Sequence, residues 1–214
     1  METQQESAKD TSWLKGTVRL GHLNVCSLTL NNDLLQKGIV ENIKVDILSI
    51  CETHLKENNK IAVDVYTWKG NNRNKIHRNA PKASGGVGLV IKQWILEEFK
   101  YETIDMYYEG ILCAKFTSTN TNYSFLLLSC ELPFENSVWG RDSQGFFAQI
   151  LSNILKVQYS YDAIFVCGDF NSRIGNLSDF TEFDDAPTHF SLDGSTNQHG
   201  KAFLEFLNES KMCV

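Results

Sequence analysis

AIFVCGDFNSRIG, residues 163–175, joins a short apolar run to a polar turn, and the fold prediction starts from this segment. The run Ala163–Cys167 has the length and composition of a buried strand. It leads directly into Gly168-Asp169-Phe170-Asn171, so a carboxylate and a carboxamide stand at the carboxyl end of that strand. On its own this tetrapeptide is equally compatible with a plain β-turn, because Gly, Asp and Asn are common turn formers. Its functional interpretation therefore depends on how the other strands end.

Two earlier apolar runs also end at polar residues. Val18–Val25 (VRLGHLNV) contains Asn24 near its end, and Val45–Cys51 (VDILSIC) is followed at once by Glu52. The segment between them, Asn32–Lys44, has apolar residues at a spacing of four, which predicts an amphipathic helix and a strand–helix–strand crossover. If the three strands are neighbours, one cleft receives Asn24, Glu52, Asp169 and Asn171.

Such a cleft suits metal-assisted phosphodiester cleavage. Mg²⁺ prefers oxygen ligands and needs only one or two carboxylates, with water and substrate phosphate completing its shell. A second carboxylate can orient or deprotonate an attacking water, and carboxamides can bind phosphate without adding negative charge. Each residue also has a simpler interpretation: Asn24 as a turn residue, and Glu52 as a helix cap or a surface carboxylate. The coincidence at three strand ends favours the site.

The remaining pattern predicts a mixed α/β fold. Further strands are predicted at Ile61–Trp68, Gly85–Ile91, Gly110–Phe116 and Tyr123–Cys130, the last two antiparallel. Helices are predicted at Ser143–Val157, with Phe147, Ile150, Leu151, Ile154 and Leu155 on one face, and at Gln198–Lys211, with Phe203, Phe206 and Leu207. Strands interspersed with helices indicate an α/β sandwich around layered sheets.

Composition and charge bound the function classes. The 214 residues fit one α/β domain or at most two small ones, and no apolar run approaches the length of a membrane span. The net charge of −6 is unusual for a nucleic-acid-binding protein, but residues 65–96 contain no Asp or Glu. Four basic residues in that stretch form a candidate phosphate-binding segment, with a solvated loop as the equal alternative: Arg73, Lys75, Arg78 and Lys82.

The termini and cysteines add two expectations. Residues 1–16 are polar, lack the apolar stretch of a secretion signal, and are interpreted as a disordered lead to a domain spanning 17–214. None of the six cysteines forms a C-x-x-C pair, and four lie in strand-like runs. Buried free thiols are therefore favoured over disulfides or a zinc site, which fits an intracellular, reducing compartment.

Several segments together resemble a known superfamily. LNV (23–25), CETHL (51–55), SGGVGLVIK (84–92) and GDFNSRIG (168–175) occur in the order and spacing typical of the endonuclease/exonuclease/phosphatase superfamily. The residues of these segments are most similar to those of the apurinic-type endonuclease domain of LINE-like non-LTR retrotransposons. The segment LLLSCELPFENSVWGRD (126–142) also resembles that branch. The resemblance implies a four-layer α/β sandwich of two packed mixed sheets, DNase I-like, here lacking the C-terminal strands.

The resemblance also implies roles for the strand-end residues. Glu52 would be the principal ligand of Mg²⁺ or Mn²⁺, with Asn24 supporting the metal site. Asp169 would align or activate the nucleophilic water, and Asn171 would hold the scissile phosphate. The implied substrate is DNA, in the nucleus if the target is genomic. In a full-length element the implied partner is a reverse transcriptase region in the same chain.

Two departures from the family pattern imply reduced or absent activity. The family has a Tyr near Pro133 that touches the phosphate, and the matching residue here is Glu131. The late Asp and Ser-Asp-His motifs have no counterpart, and neither His189 nor His199 has a strand-end setting. Missing strands would expose a sheet edge, so self-association is expected. The alternatives are a non-catalytic relic that at most binds metal or nucleic acid, and a phosphatase acting on a small-molecule or lipid phosphoester.

Overall fold

The described strands form two sheets that pack against each other. The structure is a computed structural model, and it describes residues 17–28, 38, 43–56, 60–61, 65–72, 85–137, 140–157, 160–177 and 191–212. The predicted N-terminal lead, residues 1–16, lies outside this part of the chain.

The first sheet contains four strands in the order β1-β2-β4-β3. They are β1 (Leu20–Asn24), β2 (Ile47–Cys51), β3 (Tyr66–Asn71) and β4 (Val87–Lys92). β1 and β2 are parallel, whereas β4 is antiparallel to both of its neighbours. The parallel β1–β2 pair agrees with the predicted crossover. Gly38 is helical; Ile43 and Lys44 lie outside the helix, and the rest of Asn32–Lys44 lies outside the described residues.

The second sheet also has four strands, in the order β5-β6-β7-β8. They are β5 (Phe99–Asp105), β6 (Ile111–Ser118), β7 (Ser124–Glu131) and β8 (Ala163–Asp169). The predicted antiparallel pair β6–β7 is confirmed, and β8 lies parallel to β7 at the sheet edge. Each sheet is therefore mixed, and each carries one parallel pair at an edge.

Three helices are described between and after these strands. They are α1 (Gln93–Glu98), α2 (Ser143–Lys156) and α3 (Gln198–Ser210). Helix α2 begins where the Asp142 side chain accepts the backbone N–H of Gly145, and it forms the crossover that makes β7 and β8 parallel. Helices α2 and α3 pack with the second sheet around a core that includes Phe146, Phe147 and Phe206.

The two sheets pack face to face. Between them lie apolar side chains from β2 and β4 on one side and from β6 and β7 on the other, and Phe116 and Phe125 stack with ring centroids 4.8 Å apart. A buried polar contact also crosses the interface, with the hydroxyls of Ser49 and Ser129 2.7 Å apart. The predicted α/β sandwich of two packed mixed sheets is confirmed.

Some element predictions were wrong in detail. Strand β3 begins at Tyr66 rather than Ile61, and neither α1 nor β5 was predicted. In α2, Leu155 was expected on the apolar face but is 52% exposed. The free thiols of Cys51, Cys113 and Cys130 are buried as expected, whereas that of Cys167 is only half-buried and that of Cys26 is exposed. Among the described helices, none has the length and apolar character needed to cross a membrane.

Candidate active site

Three of the predicted site residues meet at one end of the two sheets. The Nδ2 of Asn24 donates to Oε1 of Glu52 and to Oδ2 of Asp169, each across 2.9 Å. Asn24 and Asp169 are 145 positions apart in the chain, so the fold rather than local sequence brings them together. The carboxamide thus bridges two carboxylates that would otherwise repel each other.

The two parallel strand pairs explain this convergence. Asn24 at the end of β1 lies opposite Cys51 at the end of β2, and Glu52 follows directly. Asp169 at the end of β8 lies opposite Glu131 at the end of β7. Because parallel strands end at the same edge of a sheet, each pair delivers its polar residues together. The packing of β1 near β8 then joins the two edges into one site.

The orientation of the Asn24 carboxamide is set by the backbone beside it. Its Oδ1 accepts the N–H of Cys26 at 3.0 Å, which leaves Nδ2 as the group facing Glu52 and Asp169. In this arrangement Asn24 positions the carboxylates as a hydrogen-bond donor. Its carbonyl oxygen keeps one lone pair, through which the predicted support of a metal ion would have to act.

Asp169 is held at both carboxylate oxygens. Oδ2 accepts from Asn24, and Oδ1 accepts the backbone N–H of Asn171 at 3.1 Å. The Asn171 side chain donates from Nδ2 to the Leu132 carbonyl at 2.8 Å, which ties the turn after β8 to the end of β7. The second Nδ2 hydrogen of Asn171 stays available for a phosphate oxygen.

Site residues have unusual backbone conformations. Glu52 and Asn171 have φ values of 53° and 46°, in the left-handed region, and His54 has a φ of 53°. Asn tolerates this region better than most residues, whereas Glu does not. Backbone strain of this kind is found preferentially at functional sites.

Glu131, at the position where the resembling family has Tyr, is a third carboxylate near the site. Its side chain is only 5% exposed, and Oε2 accepts the backbone N–H of Glu52 at 3.3 Å. Glu131 therefore contacts the backbone of Glu52 and lies opposite Asp169 in the β7–β8 register. The departure seen in the sequence places a third carboxyl group at the site.

The carboxylates of the site also affect the pKa values of two neighbouring side chains, Cys51 and His22. Burial raises the pKa of the Cys51 thiol to about 12, and the nearby carboxylates Glu131, Asp169 and Glu52 add to the shift. Burial lowers the pKa of His22, against an opposing attraction from Asp169. His22 Nδ1 lies 2.9 Å from the Ser49 hydroxyl, which in turn lies 2.7 Å from the Ser129 hydroxyl of the other sheet.

The donor chemistry of the site fits a divalent cation of the Mg²⁺ type. Within the described part of the chain, neither Glu52 nor Asp169 takes part in an ion pair, and both accept from the same neutral carboxamide. No group of three or more His, Cys, Asp or Glu side chains that could hold a metal is found among the described residues. A preformed protein cage is thus absent there, whereas Mg²⁺ is commonly held by one or two carboxylates plus water and phosphate.

Other residues considered from the sequence are not part of this cluster. Arg73, Lys75, Arg78, Lys82 and His189 lie outside the described residues. His199 is 1% exposed at the start of α3, where Nε2 donates to the Gly140 carbonyl at 2.7 Å, so its position is structural.

A cavity of about 550 Å³ that the sequence did not predict adjoins Asp169 and Asn171. Its other walls include Phe134 after β7, Arg173 after β8 and Asn197 before α3. Asn197 joins the walls: Oδ1 accepts the N–H groups of Arg173 and Gly200, and Nδ2 donates to the Asn171 carbonyl. The available signal was Asn before the predicted final helix, which is a common N-cap residue.

Comparison with known proteins agrees with this architecture. A sequence profile described as the Endonuclease/Exonuclease/phosphatase family matches residues 21–199. No curated protein sequence matches the chain. Among solved structures, AP endonuclease LMAP from Leishmania major is similar with a TM-score of 0.65 and 13% identity, over 90% of this chain and 66% of that one.

A second solved structure, the 3′ phosphatase NExo from Neisseria bound to a product DNA hairpin, is similar with a TM-score of 0.53 and 15% identity. That match covers 90% of this chain and 71% of the other. At these identities the likeness concerns the fold, and this chain spans just under two thirds of the Leishmania enzyme.

Proposed function

Given that the chain belongs to the endonuclease/exonuclease/phosphatase family, we propose that it is a divalent-metal-dependent phosphodiesterase domain that nicks DNA. The observation that supports this most directly is the contact of one Asn24 carboxamide with both Glu52 and Asp169 at 2.9 Å. Two carboxylates and two carboxamides where the edges of the two sheets meet match the needs of phosphodiester hydrolysis better than those of a binding module alone.

The chain's own residues have distinct roles in this proposal. Glu52, supported by Asn24, would hold Mg²⁺ or Mn²⁺, which when bound polarises a phosphoryl oxygen. Asp169, fixed at both oxygens, orients a water and accepts its proton. Asn171 donates an N–H of its side chain to the phosphate, and the tie to Leu132 keeps that side chain in place.

We further propose that turnover is reduced by Glu131. A buried carboxylate next to the N–H of Glu52 adds repulsion toward an approaching phosphate, where a Tyr hydroxyl would donate a hydrogen bond. A domain that binds metal or DNA without cutting is the alternative that this observation favours. The phosphatase alternative gains no specific support from the site.

We also propose an evolutionary origin and a cellular location for the protein, from its sequence motifs and its cysteines. The segments CETHL and GDFN in the context of LLLSCELPFENSVWGRD favour a LINE-like retrotransposon endonuclease, joined to a reverse transcriptase region in a full-length element. Buried free thiols at Cys51, Cys113 and Cys130 support a reducing, intracellular setting, which is the nucleus for genomic DNA.

A supercoiled-plasmid nicking assay with Mg²⁺ tests the proposal. We expect the wild-type protein to nick, Glu52→Gln and Asp169→Asn to lose on the order of 10²–10⁴ in rate, and the exposed-carboxylate control Glu102→Gln to match the wild type. Glu131→Tyr, or the smaller change Glu131→Gln, should raise the rate.

Each other result counts against a specific part of the proposal. Nicking that survives both site substitutions rejects the site. A folded wild-type protein that does not nick rejects the enzyme in favour of the non-catalytic alternative. No gain from either Glu131 substitution rejects the role given to that carboxylate.

A further inference from the structure

The cavity of about 550 Å³ beside the acid pair is larger than a phosphate group requires. Its lining includes Asp169 and Asn171 but not Glu52, together with residues of the loop after β7 and of the segment before α3. Pockets that bind small organic ligands commonly enclose 300–1,000 Å³ and combine apolar walls with a few polar groups. The space therefore suits a nucleotide-sized group adjoining the reacting phosphate.

Arg173 supplies the positive charge among the described residues that line the cavity. Its side chain is 65% exposed and makes only long contacts: Nε lies 3.7 Å from Asp193 Oδ2, and Nη1 lies 3.5 Å from the Ser195 hydroxyl. These distances are long for hydrogen bonds, so most guanidinium donors can turn to a phosphate, which Arg binds in a bidentate manner.

The backbone beneath Arg173 is fixed although its side chain is not. Its N–H donates to Asn197 Oδ1 at 2.9 Å, and its carbonyl accepts the N–H of Asn197 at 3.0 Å. A Cβ added at Gly200 would collide with the same carbonyl, so α3 begins in close contact with this segment. The backbone that carries the guanidinium is thus held by two hydrogen bonds, and Arg173 lines the same cavity as Asp169.

The apolar wall presents aromatic rings to the cavity. Phe170 and Phe203 stack with centroids 5.1 Å apart at an angle of 20°, and Phe134 stands at the rim with 67% of its surface exposed. Exposed aromatic rings beside a cationic group are what single-stranded nucleic acid requires, because bases stack on rings and phosphates bind Arg. Glu135, on the same loop as Phe134, disfavours a second anionic group at that wall and favours a neutral base.

We propose that this cavity is a nucleotide subsite: Arg173 binds a phosphate next to the scissile one, and Phe134 stacks on the adjoining base. The inference rests on the proposed phosphodiesterase function and assigns to Arg173 and Phe134 the binding of the strand beside the scissile phosphate. A small sugar phosphate would leave the Phe134 ring uncovered and Arg173 without a second phosphate.

Fluorescence anisotropy with a 5′-fluorescein single-stranded hexadeoxynucleotide tests the subsite in EDTA, where turnover does not occur. We expect Arg173→Ala and Phe134→Ala each to weaken binding on the order of tenfold. The matched controls lie outside the cavity: Lys100→Ala removes an exposed positive charge on β5, and Tyr107→Ala removes a ring that is 96% exposed. Both controls should bind as the wild type does.

One further variant and one competition experiment test the roles of Arg173 and Phe134 separately. Asp193→Asn keeps the oxygen that accepts the Ser195 N–H but removes the charge that competes for Arg173, so it should tighten binding about twofold. Deoxyadenosine monophosphate should displace the probe at concentrations at least tenfold lower than glucose 6-phosphate does. Equal displacement by the two would overturn the stacking role of Phe134.

The outcome separates this inference from the proposed function. Wild-type affinity in both Arg173→Ala and Phe134→Ala overturns the subsite, whether or not the plasmid is nicked. Weakened binding in both, with normal binding in the controls, supports the subsite, and the Mg²⁺ nicking assay then decides the enzyme independently.

Discussion

Single residues at the site combine chemical need with conformational cost. Glu52 has a φ of 53°, a conformation that costs a side-chain-bearing residue about 1–2 kcal/mol. Its carboxylate shares the Asn24 carboxamide with the carboxylate of Asp169, and its backbone N–H donates to the Glu131 side chain. A residue chosen for stability alone would be Gly at this position. Under the proposed function, the carboxylate of Glu52 is needed at this position in spite of that conformational cost.

Replacing Glu52 separates these contributions. Glu52→Gly and Glu52→Ala both remove the carboxylate, but only Gly relieves the left-handed backbone, so Gly should be more stable than Ala by about 1 kcal/mol. Thermal unfolding should show this as a Tm about 2–4 °C higher for the Gly variant. Neither variant should nick DNA.

Glu205 provides the matched control, because it is an exposed Glu within helix α3. There the order should reverse, with Gly about 1 kcal/mol less stable than Ala. Equal Tm values for the two Glu52 variants, with the reversed order seen at Glu205, would show that the backbone at Glu52 is not strained.

The individual site residues were predictable from sequence to different degrees. Asn24, Glu52 and Asp169 could be selected because each stands where a readable apolar run ends. Asn197 and Arg173 could not, because their importance comes from contacts across the fold, such as the Asn197 carboxamide holding both the Arg173 N–H and the Asn171 carbonyl. Spacing in the chain carries no signal of such contacts.

At the scale of elements, strong periodicity was predicted well and weak periodicity was not. Helix α2 and strands β7 and β8 have long apolar patterns that tertiary contacts do not override. The missed helix α1 has only six residues, and the missed strand β5 alternates irregularly between exposed and half-buried positions at the sheet edge. Short or edge elements depend on their neighbours, which local pattern does not describe.

Asp46 ties three elements of the first sheet together. Its fully buried carboxylate accepts from the backbone and guanidinium of Arg19, before β1, and pairs with Lys92 at the end of β4, at 3.2 Å. Burial alone would raise the pKa of Asp46, but the contacts with Arg19 and Lys92 outweigh it and hold the pKa below its usual value.

This shift predicts how stability depends on pH. Because the folded-state pKa lies below the unfolded value of about 3.9, the stabilisation by Asp46 is present above that value and is lost as the pH falls through the folded pKa. Asp46→Asn should lower the free energy of unfolding by about 2 kcal/mol at pH 7, with the difference from wild type narrowing below about pH 4.

Urea unfolding at several pH values measures this difference directly. The exposed Glu102→Gln should follow the wild-type curve throughout, since it lies on β5 away from Arg19 and Lys92. A deficit of Asp46→Asn that stays constant down to pH 3 would contradict the assigned linkage.

At the scale of the whole molecule, the site forms because the two sheets each have a parallel strand pair at one edge, and these edges pack together. The parallel pair β1–β2 delivers Asn24 and Glu52, and the parallel pair β7–β8 delivers Glu131 and Asp169. The sequence indicates where strands lie, but it does not state which sheet a strand joins. The assignment of the strands to two packed sheets was predicted from the superfamily resemblance.

Net charge sets a second condition on the whole molecule. At −6 the protein repels a DNA strand on average, so binding requires local positive charge such as that of Arg73, Lys75, Arg78 and Lys82. Each phosphate neutralised by Lys or Arg releases counterions and steepens the dependence of the logarithm of affinity on the logarithm of salt concentration by about 0.9 for B-DNA. If this basic segment binds DNA, a few of its residues should determine how steeply the affinity falls with salt concentration.

The double variant Arg73→Ala/Lys75→Ala should flatten that slope by about 2, since two contacts are lost. The control Lys100→Ala/Lys115→Ala removes the same charge from β5 and β6, so it changes the net charge equally but not the proposed contact. Duplex DNA titrations in EDTA at several KCl concentrations give both slopes. A flattening of equal size in the two double variants would mean that net charge governs DNA binding, and the basic segment would lose its assigned role.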